Sequence, residues 1–405
     1  MKNIMATVKG RMAVLLFLVV FVLFGISVVL SSFELQRNGD MWLYRDSASR
    51  MLSGQPPRAD FASAYPLLAT LYFILPALVT GNVLGYALVF ASLQLCVFLA
   101  SVYLVYACAK KLRIARDSAV IKYAIASLLL ANLIVGRYDL LPATVTLAGA
   151  YFFLKERYGV GFALIAVGVW LKYYSIFLLP ILLIAYLEKR TPRKLAADMV
   201  PAVFAAFLCV ALGALVPYGG NIAESLAFHA VRLPNVESVY SAVLLMINIV
   251  FPLGVRTEYL WHSTTIRFPF ENEVSIGSFF VMAAVMLLVY AAAYRSRRNL
   301  SGTTLIGFCA LAVLAFILTS KVFSPQYLLW VSPFICLLGL KPERLNKQIF
   351  AAFALACGFS LVIYPYTYSL LNDLDPLAVV VVALRDFVLV GVFVFLVVWV
   401  WRAKS

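Results

Sequence analysis

VVVVALRDFVLVGVFVFLVVWVW, residues 379–401, carries charge only at Arg385 and Asp386. A helix needs roughly 17–25 mostly apolar residues to cross about 30 Å of hydrocarbon, and this stretch meets that length. Read outward from it, the same pattern recurs near 12–31, 83–108, 118–135, 140–154, 158–171, 173–187, 195–216, 275–294, 302–320, 325–340 and 348–366. The expectation is an all-α integral membrane protein with about 12 transmembrane helices by the length criterion. Two further apolar runs, Tyr65–Val79 and Val239–Phe251, are short and flanked by polar residues, and counting either as a crossing spoils the charge pattern below. They are read as external juxtamembrane or re-entrant helices.

Composition agrees with a lipid bilayer as solvent. Of 405 residues 64% are hydrophobic and 13% charged, where soluble domains carry about 25% charged residues; the mean hydropathy is +0.97. No stretch leaves room for a large soluble domain, and no repeat or flexible linker is visible, so residues 1–405 are read as a single polytopic domain. The net charge of +15 invites a nucleic-acid reading, but its distribution argues against one. With the N-terminus inside, the inner loops hold 22 of the 33 Lys and Arg residues, in clusters such as Lys110–Arg116, Lys189–Lys194 and Arg295–Arg298. Basic residues gather in this way on the cytoplasmic side of membrane proteins. The excess is therefore a topology signal: both termini cytoplasmic, in a plasma or inner membrane, with no nucleic acid implied. The first apolar run lacks a clear cleavage site and is taken as a retained anchor. All six cysteines sit in apolar runs and read as small packing residues. With only His229 and His262 present, a multi-histidine metal site is excluded.

The same assignment puts a different set of loops outside: residues 32–64, the Gly136–Asp139 turn, Lys172 with Tyr173, residues 217–274, Lys321–Tyr327 and the Tyr364–Pro376 turn. These are rich in Asp, Glu, Tyr, His and Arg, so function is expected on the periplasmic or extracellular face. The first of them contains NGDMWLYRDSASR (residues 38–50). Asp40 follows the turn residue Gly39 and precedes an amphipathic run, which puts it at a helix N-terminus against the bilayer. A partly desolvated carboxylate there is well placed to take a proton from a hydroxyl. Asp46 has i,i+4 spacing to Arg50, suited to an ordinary helix pair. Arg137 and Asp139 flank the start of a span and can pair with one another or with a neighbour. Lys172 ends an apolar span, where a lysine is costly unless it is paired, functional or snorkelled to the interface. Lys321 sits beside a Ser–Pro break, and the three-residue spacing of His229 and Arg232 would put both on one helical face. Arg385 with Asp386 reads as a packed polar contact between helices or a support for the outer cavity.

Several of these patches bear a resemblance. G39-D40-M-W-L-Y44, G54-Q-P-P-R-A-D60-F and Y65-P66-L-L are similar to the first external loop of GT-C glycosyltransferases, and within them to the polyprenol-phosphate-mannose-dependent α-mannosyltransferases. G136-R137-Y138-D139-L-L-P, G168-V-W-L-K172-Y-Y-S-I-F-L-L-P180 and S320-K321-V-F-S324-P325-Q326-Y327-L-L-W fit the same pattern, and F228-H229-A-V-R232-L-P-N-V-E237-S238 fits more loosely. The likeness runs from about residue 12 to about residue 340. It implies a GT-C fold and an enzyme that moves a sugar, mannose above all, from a polyprenyl-phosphate carrier to a glycolipid or glycan acceptor, with inversion. The family's catalytic aspartate maps onto Asp40. Fixed cations opposite the base would stabilise the departing phosphate, and the candidates are Lys321, His229, Arg232 and Lys172. Sugar or acceptor contacts fall to Asp46, Tyr44, Arg137, Asp139, Glu237, Gln326 and Tyr327. The loop lacks the D-x-D or adjacent D-E pair that many relatives carry; a divalent cation shared by Asp40 and Asp139 stays an option. The rival readings are a transporter or flippase of lipid-linked sugars and a ligase moving a whole lipid-linked glycan. A transporter would place its ionisable residues at the midplane of repeated halves, whereas here they gather at one face and no patch is duplicated.

Overall fold

A computed structural model describes residues 14–15, 18–26, 29, 39–57, 65–214, 222–260 and 263–402. Asp60, His262 and the remainder of the 32–64 and 217–274 regions lie outside the described residues. The chain is predominantly helical, and six helices are long and apolar enough to cross a membrane: Val83–Leu112, Pro192–Gly213, Glu271–Arg295, Gly302–Thr319, Glu343–Asn372 and Pro376–Trp401. It divides into two compact units, one of residues 1–175 with 196–221 and one of residues 176–195 with 222–405.

In the first unit, α1 (Asp40–Leu52) begins after an extended Gly39, with Asp40 in its first turn and Arg50 in its last. That polarity suits the helix dipole. Met41, Tyr44, Ala48 and Met51 recur at helical spacing and are buried, so one face packs on α2 (Leu67–Val79) while Asp46 bonds Arg50 at 3.2 Å on the other. At 13 residues, α2 spans about 20 Å, short of a full hydrocarbon core. The long α3 (Val83–Leu112) starts where the Asn82 side chain accepts from Gly85 N–H and ends at Arg113, in the left-handed region at φ 57°. After α4 (Arg116–Leu129) and the short α5 (Ala131–Gly136), α6 (Leu140–Leu154) and α7 (Tyr158–Leu171) form a tight hairpin. Its closeness depends on two glycines: a Cβ on Gly149 would meet Ile165 at 2.8 Å, and one on Gly161 would press on Phe153 and lie 3.2 Å from the Gly149 carbonyl.

In the second unit, α8 (Leu179–Lys189), α10 (Ile222–Val231), α11 (Val239–Val250) and α12 (Glu271–Arg295) precede the deeply buried α13 (Gly302–Thr319), followed by α14 (Leu328–Cys336), α15 (Glu343–Leu361), α16 (Tyr368–Asn372) and α17 (Pro376–Arg402). The helix Pro192–Ala214, α9, belongs to the first unit from Ala196 onward. Residues 256–260 and 263–267 depart from the all-α expectation. They form an antiparallel pair, β1 (Arg256–Leu260) and β2 (Ser263–Arg267), with Arg256 opposite Arg267 and Glu258 opposite Thr265. Alternating, β-branched Thr257, Thr265 and Ile266 favour a strand here, and Asn235 adds a bridge to Thr265.

Several expected crossings are also not single helices. Residues 118–135 break at Leu130 into α4 and α5, and residues 325–340 are a 3-10 turn followed by the nine-residue α14 with Pro333 inside it. The α6 and α7 helices, at 15 and 14 residues, reach about 21–23 Å each, short of a full hydrocarbon core. Proline and backbone breaks are invisible to an apolar-length criterion, which joins what they divide. All six cysteines are free thiols, and five of them are buried.

Candidate functional site

The α6–α7 hairpin explains the polar cluster of the first unit. Asp139 immediately precedes α6 and Lys172 immediately follows α7, so the antiparallel hairpin brings both to its open end. There the Lys172 ammonium lies 3.1 Å from Asp139 Oδ1. Arg137, two residues earlier, turns instead to Asp40, with Nη1 2.7 Å from Oδ2. Of the two expectations for Arg137 and Asp139, pairing with one another or with a neighbour, the structure shows the second, as two ion pairs that tie α1, the 136–139 turn and the end of α7 together. Their accessibility divides the roles: the Asp40 and Lys172 side chains are 26% and 19% exposed, whereas those of Arg137 and Asp139 are 9% and 1% exposed. Asp40 and Lys172 can touch a ligand; Arg137 and Asp139 hold them from behind.

Aromatic rings wall the cluster. Lys172 Nζ lies 4.7 Å from the Tyr138 ring centre and 6.0 Å from that of Tyr65. Tyr44 stacks on Phe73 at 4.0 Å and meets Tyr65 and Tyr138 edge-on at 5.6 and 6.1 Å. Burial raises both the Tyr44 and the Tyr65 phenols well above their ordinary pKa, and the Asp40 charge adds to it. Both phenols are therefore neutral hydrogen-bonding groups at physiological pH, and they bond one another. From α3 the Gln94 amide donates to the Arg137 carbonyl, while the Tyr72 hydroxyl donates to Gln94 Oε1 at 3.3 Å. Tyr138 donates to the Leu171 carbonyl at 3.1 Å, closing the hairpin end.

The second unit holds a cluster of a different electrical character. Lys321, 5% exposed, donates to the Ala230 carbonyl and to Ser275 Oγ, both at 2.7 Å, and lies 4.6 Å from the Phe279 ring centre. It forms no ion pair among the described residues. Burial, followed by the nearby charge of Arg232, lowers its pKa to about 8. Arg232 donates to Ser263 Oγ at 2.7 Å, its guanidinium carbon is 5.4 Å from the Phe228 ring centre, and its carbonyl accepts from Ser275 Oγ at 3.0 Å. The ammonium lies near enough to the guanidinium to feel its charge, and both of its hydrogen-bond acceptors are neutral.

The remaining sequence candidates fall as follows. His229 lies in the last turn of α10, but Arg232 comes just after the helix ends at Val231, so the two do not share a helical face as expected. Asp46 is engaged with Arg50, as its spacing implies. Glu237, 3% exposed, faces Arg385 of α17 with Oε1 3.5 Å from Nη1. Tyr327 stacks on Trp330 at 3.9 Å, and Gln326 lies in the 3-10 turn before α14. The sequence reading passed over Tyr65 and Tyr138 as site residues, although both stand in the motifs it singled out, and over Gln94 and Ser275. Gln94 was findable as an amide within a long apolar helix; Ser275 carried no signal.

Among the described residues no three His, Cys, Asp or Glu side chains come together as a metal site. Asp40 and Asp139 are each already matched by a cation, so a divalent ion would have to displace Arg137 or Lys172, and the donor set does not fit one as it stands. No protein-family model matches the chain, and no curated protein matches it in sequence. Fold and composition define the class: a helical membrane protein.

Proposed function

We propose that this protein is a GT-C-type glycosyltransferase, with about twelve crossings once its shorter helices are joined. In this reading it moves a sugar, mannose as the resemblance implies, from a polyprenyl-phosphate carrier to an acceptor hydroxyl, with inversion, on the external face of the plasma membrane. The observation that carries the reading is the Asp40–Arg137 pair at the start of α1, partly exposed beside Lys172 and walled by tyrosines. An acid–base device of this kind is out of place in a chain so apolar unless it does chemistry or binds a polar group.

Asp40 accepts the proton of the attacking hydroxyl while Arg137 fixes the orientation of its carboxylate, as general-base catalysis needs hydrogen-bond reach first. Lys172 and the half-buried Tyr65 contact sugar or acceptor oxygens, with the buried Tyr44 and Tyr138 packed behind them. Lys321 with Arg232 supplies fixed positive charge to the carrier phosphate, which gains charge as the glycosidic bond breaks. Glu237 and Asp46, each held by an arginine, act as structural supports. The test is incubation of purified protein with radiolabelled polyprenyl-phosphate sugars and a lipid extract from its host. Label moved from the carrier to a new product supports the reading; carrier crossing a vesicle membrane intact, with no transfer, would favour the flippase instead.

A further inference from the structure

Arg385 is fully buried within α17, in the middle of a span. Charged residues at such depth are retained for a partner or a task. Its Nε donates to Asp386 Oδ1 at 2.8 Å, Nη2 donates to the Glu237 carbonyl, and Nη1 lies 3.5 Å from Glu237 Oε1. The guanidinium carbon also lies 4.0 Å from the Phe323 ring centre. The Phe323 and Glu237 contacts lead to Lys321. Phe323 is two residues beyond it in the same loop. Glu237 N–H donates to Asn235 Oδ1 at 2.8 Å, and Asn235 N–H donates to the Lys321 carbonyl at 2.9 Å. Asn235 O in turn accepts from Ser238 N–H and Ser241 Oγ, which ties the turn to the start of α11.

We propose that Arg385 is the positioning residue of the Lys321 anion pocket, gripping from the last helix the turn and the loop that hold the Lys321 backbone in place. One side of the grip is the Asn235–Glu237 turn, and the other is Phe323. Asp386 orients the guanidinium so that its two terminal nitrogens meet Glu237 while its flat face stays free for the ring. Lysine cannot replace this, because an ammonium has neither the fork nor the face. The catalytic consequence rests on the phosphate role of Lys321 given above; the positioning itself does not.

Arg385→Lys and Phe323→Leu separate the two. Each is made in the full chain, checked for a monodisperse peak in detergent, and read by trace acetylation of Lys321 against pH with mass spectrometry. In the unaltered protein half-maximal reactivity falls near pH 8. In both variants the loosened pocket hydrates the ammonium, and the midpoint moves toward the ordinary lysine value of about 10.4, with reactivity at pH 8 falling about tenfold. The KM for carrier rises about tenfold while kcat holds, the signature of lost uniform binding. Folded variants with the parent's acetylation profile would overturn the proposal. A shifted profile with unchanged KM would leave the positioning standing and remove the phosphate reading of Lys321. Should Arg385→Lys not fold, Phe323→Leu decides alone, since it keeps an apolar side chain and deletes only the ring.

Discussion

Lys172 and Arg137 each neutralise one carboxylate, but the two carboxylates differ in what they would suffer alone. Asp139 is 1% exposed, so Lys172→Met strands a buried charge and should cost on the order of 3 kcal/mol. Adding Asp139→Asn removes that charge, and the double variant should regain most of the loss in a denaturation series; a double variant no more stable than Lys172→Met would contradict the pairing. Lys321 gives the pH dependence. Its folded pKa of about 8 lies below the ordinary lysine value, so its positive charge is present below about pH 8 and lost above it. Carrier KM should be flat from pH 6 to about 7.5 and rise beyond about 8, and a KM unchanged to pH 9 would deny Lys321 its role. The same shift means that folding holds the ammonium at a cost below pH 8, and that this cost is relieved as pH climbs from 8 toward the unfolded value.

Among the elements, the α6–α7 hairpin does most to build the site, because its two free ends carry Asp139 and Lys172. Gly149 and Gly161 let the helices approach closely, the use of small residues common between membrane helices. Gly161→Val should separate them, lower the melting temperature in detergent by several degrees and depress turnover more than Gly25→Ala, where an added Cβ meets nothing within 4 Å. Equal effects of the two substitutions would count against the hairpin as the site's frame. This hairpin also shows what was legible in the sequence and what was not. The start of α1 at Asp40, the Asp46–Arg50 pair and the short α2 follow from local spacing, caps and length, which a sequence displays directly. The choice of partner for Arg137 and Asp139 depends on which way a turn presents each side chain, and the Lys321 pocket assembles from residues far apart in the chain. Neither has a local signal. The β1–β2 pair was passed over because so short a hairpin in a chain dominated by apolar helices leaves only a few alternating residues to betray it.

Across the whole molecule, charge is scarce and unevenly spent. Helix surfaces such as those of Phe204, Phe207, Phe280, Leu287 and Leu288 are broadly exposed and apolar, as lipid-facing helices must be. Against that background the described residues of the first unit gather polar groups around Asp40, and those of the second around Lys321, Arg385 and Arg267. The first pairs carboxylates with cations around Asp40, and the second keeps Lys321 without a carboxylate partner among the described residues. Paired carboxylates in one unit and an ammonium with neutral acceptors in the other are the features on which the base and phosphate roles proposed above rest. The most direct test is turnover of purified Asp40→Asn beside the parent protein, with carrier binding measured on the same samples. The account predicts a folded variant that still binds carrier but transfers sugar about a hundred- to ten-thousandfold more slowly, the range general-base removal produces; transfer at the parent's rate would contradict it.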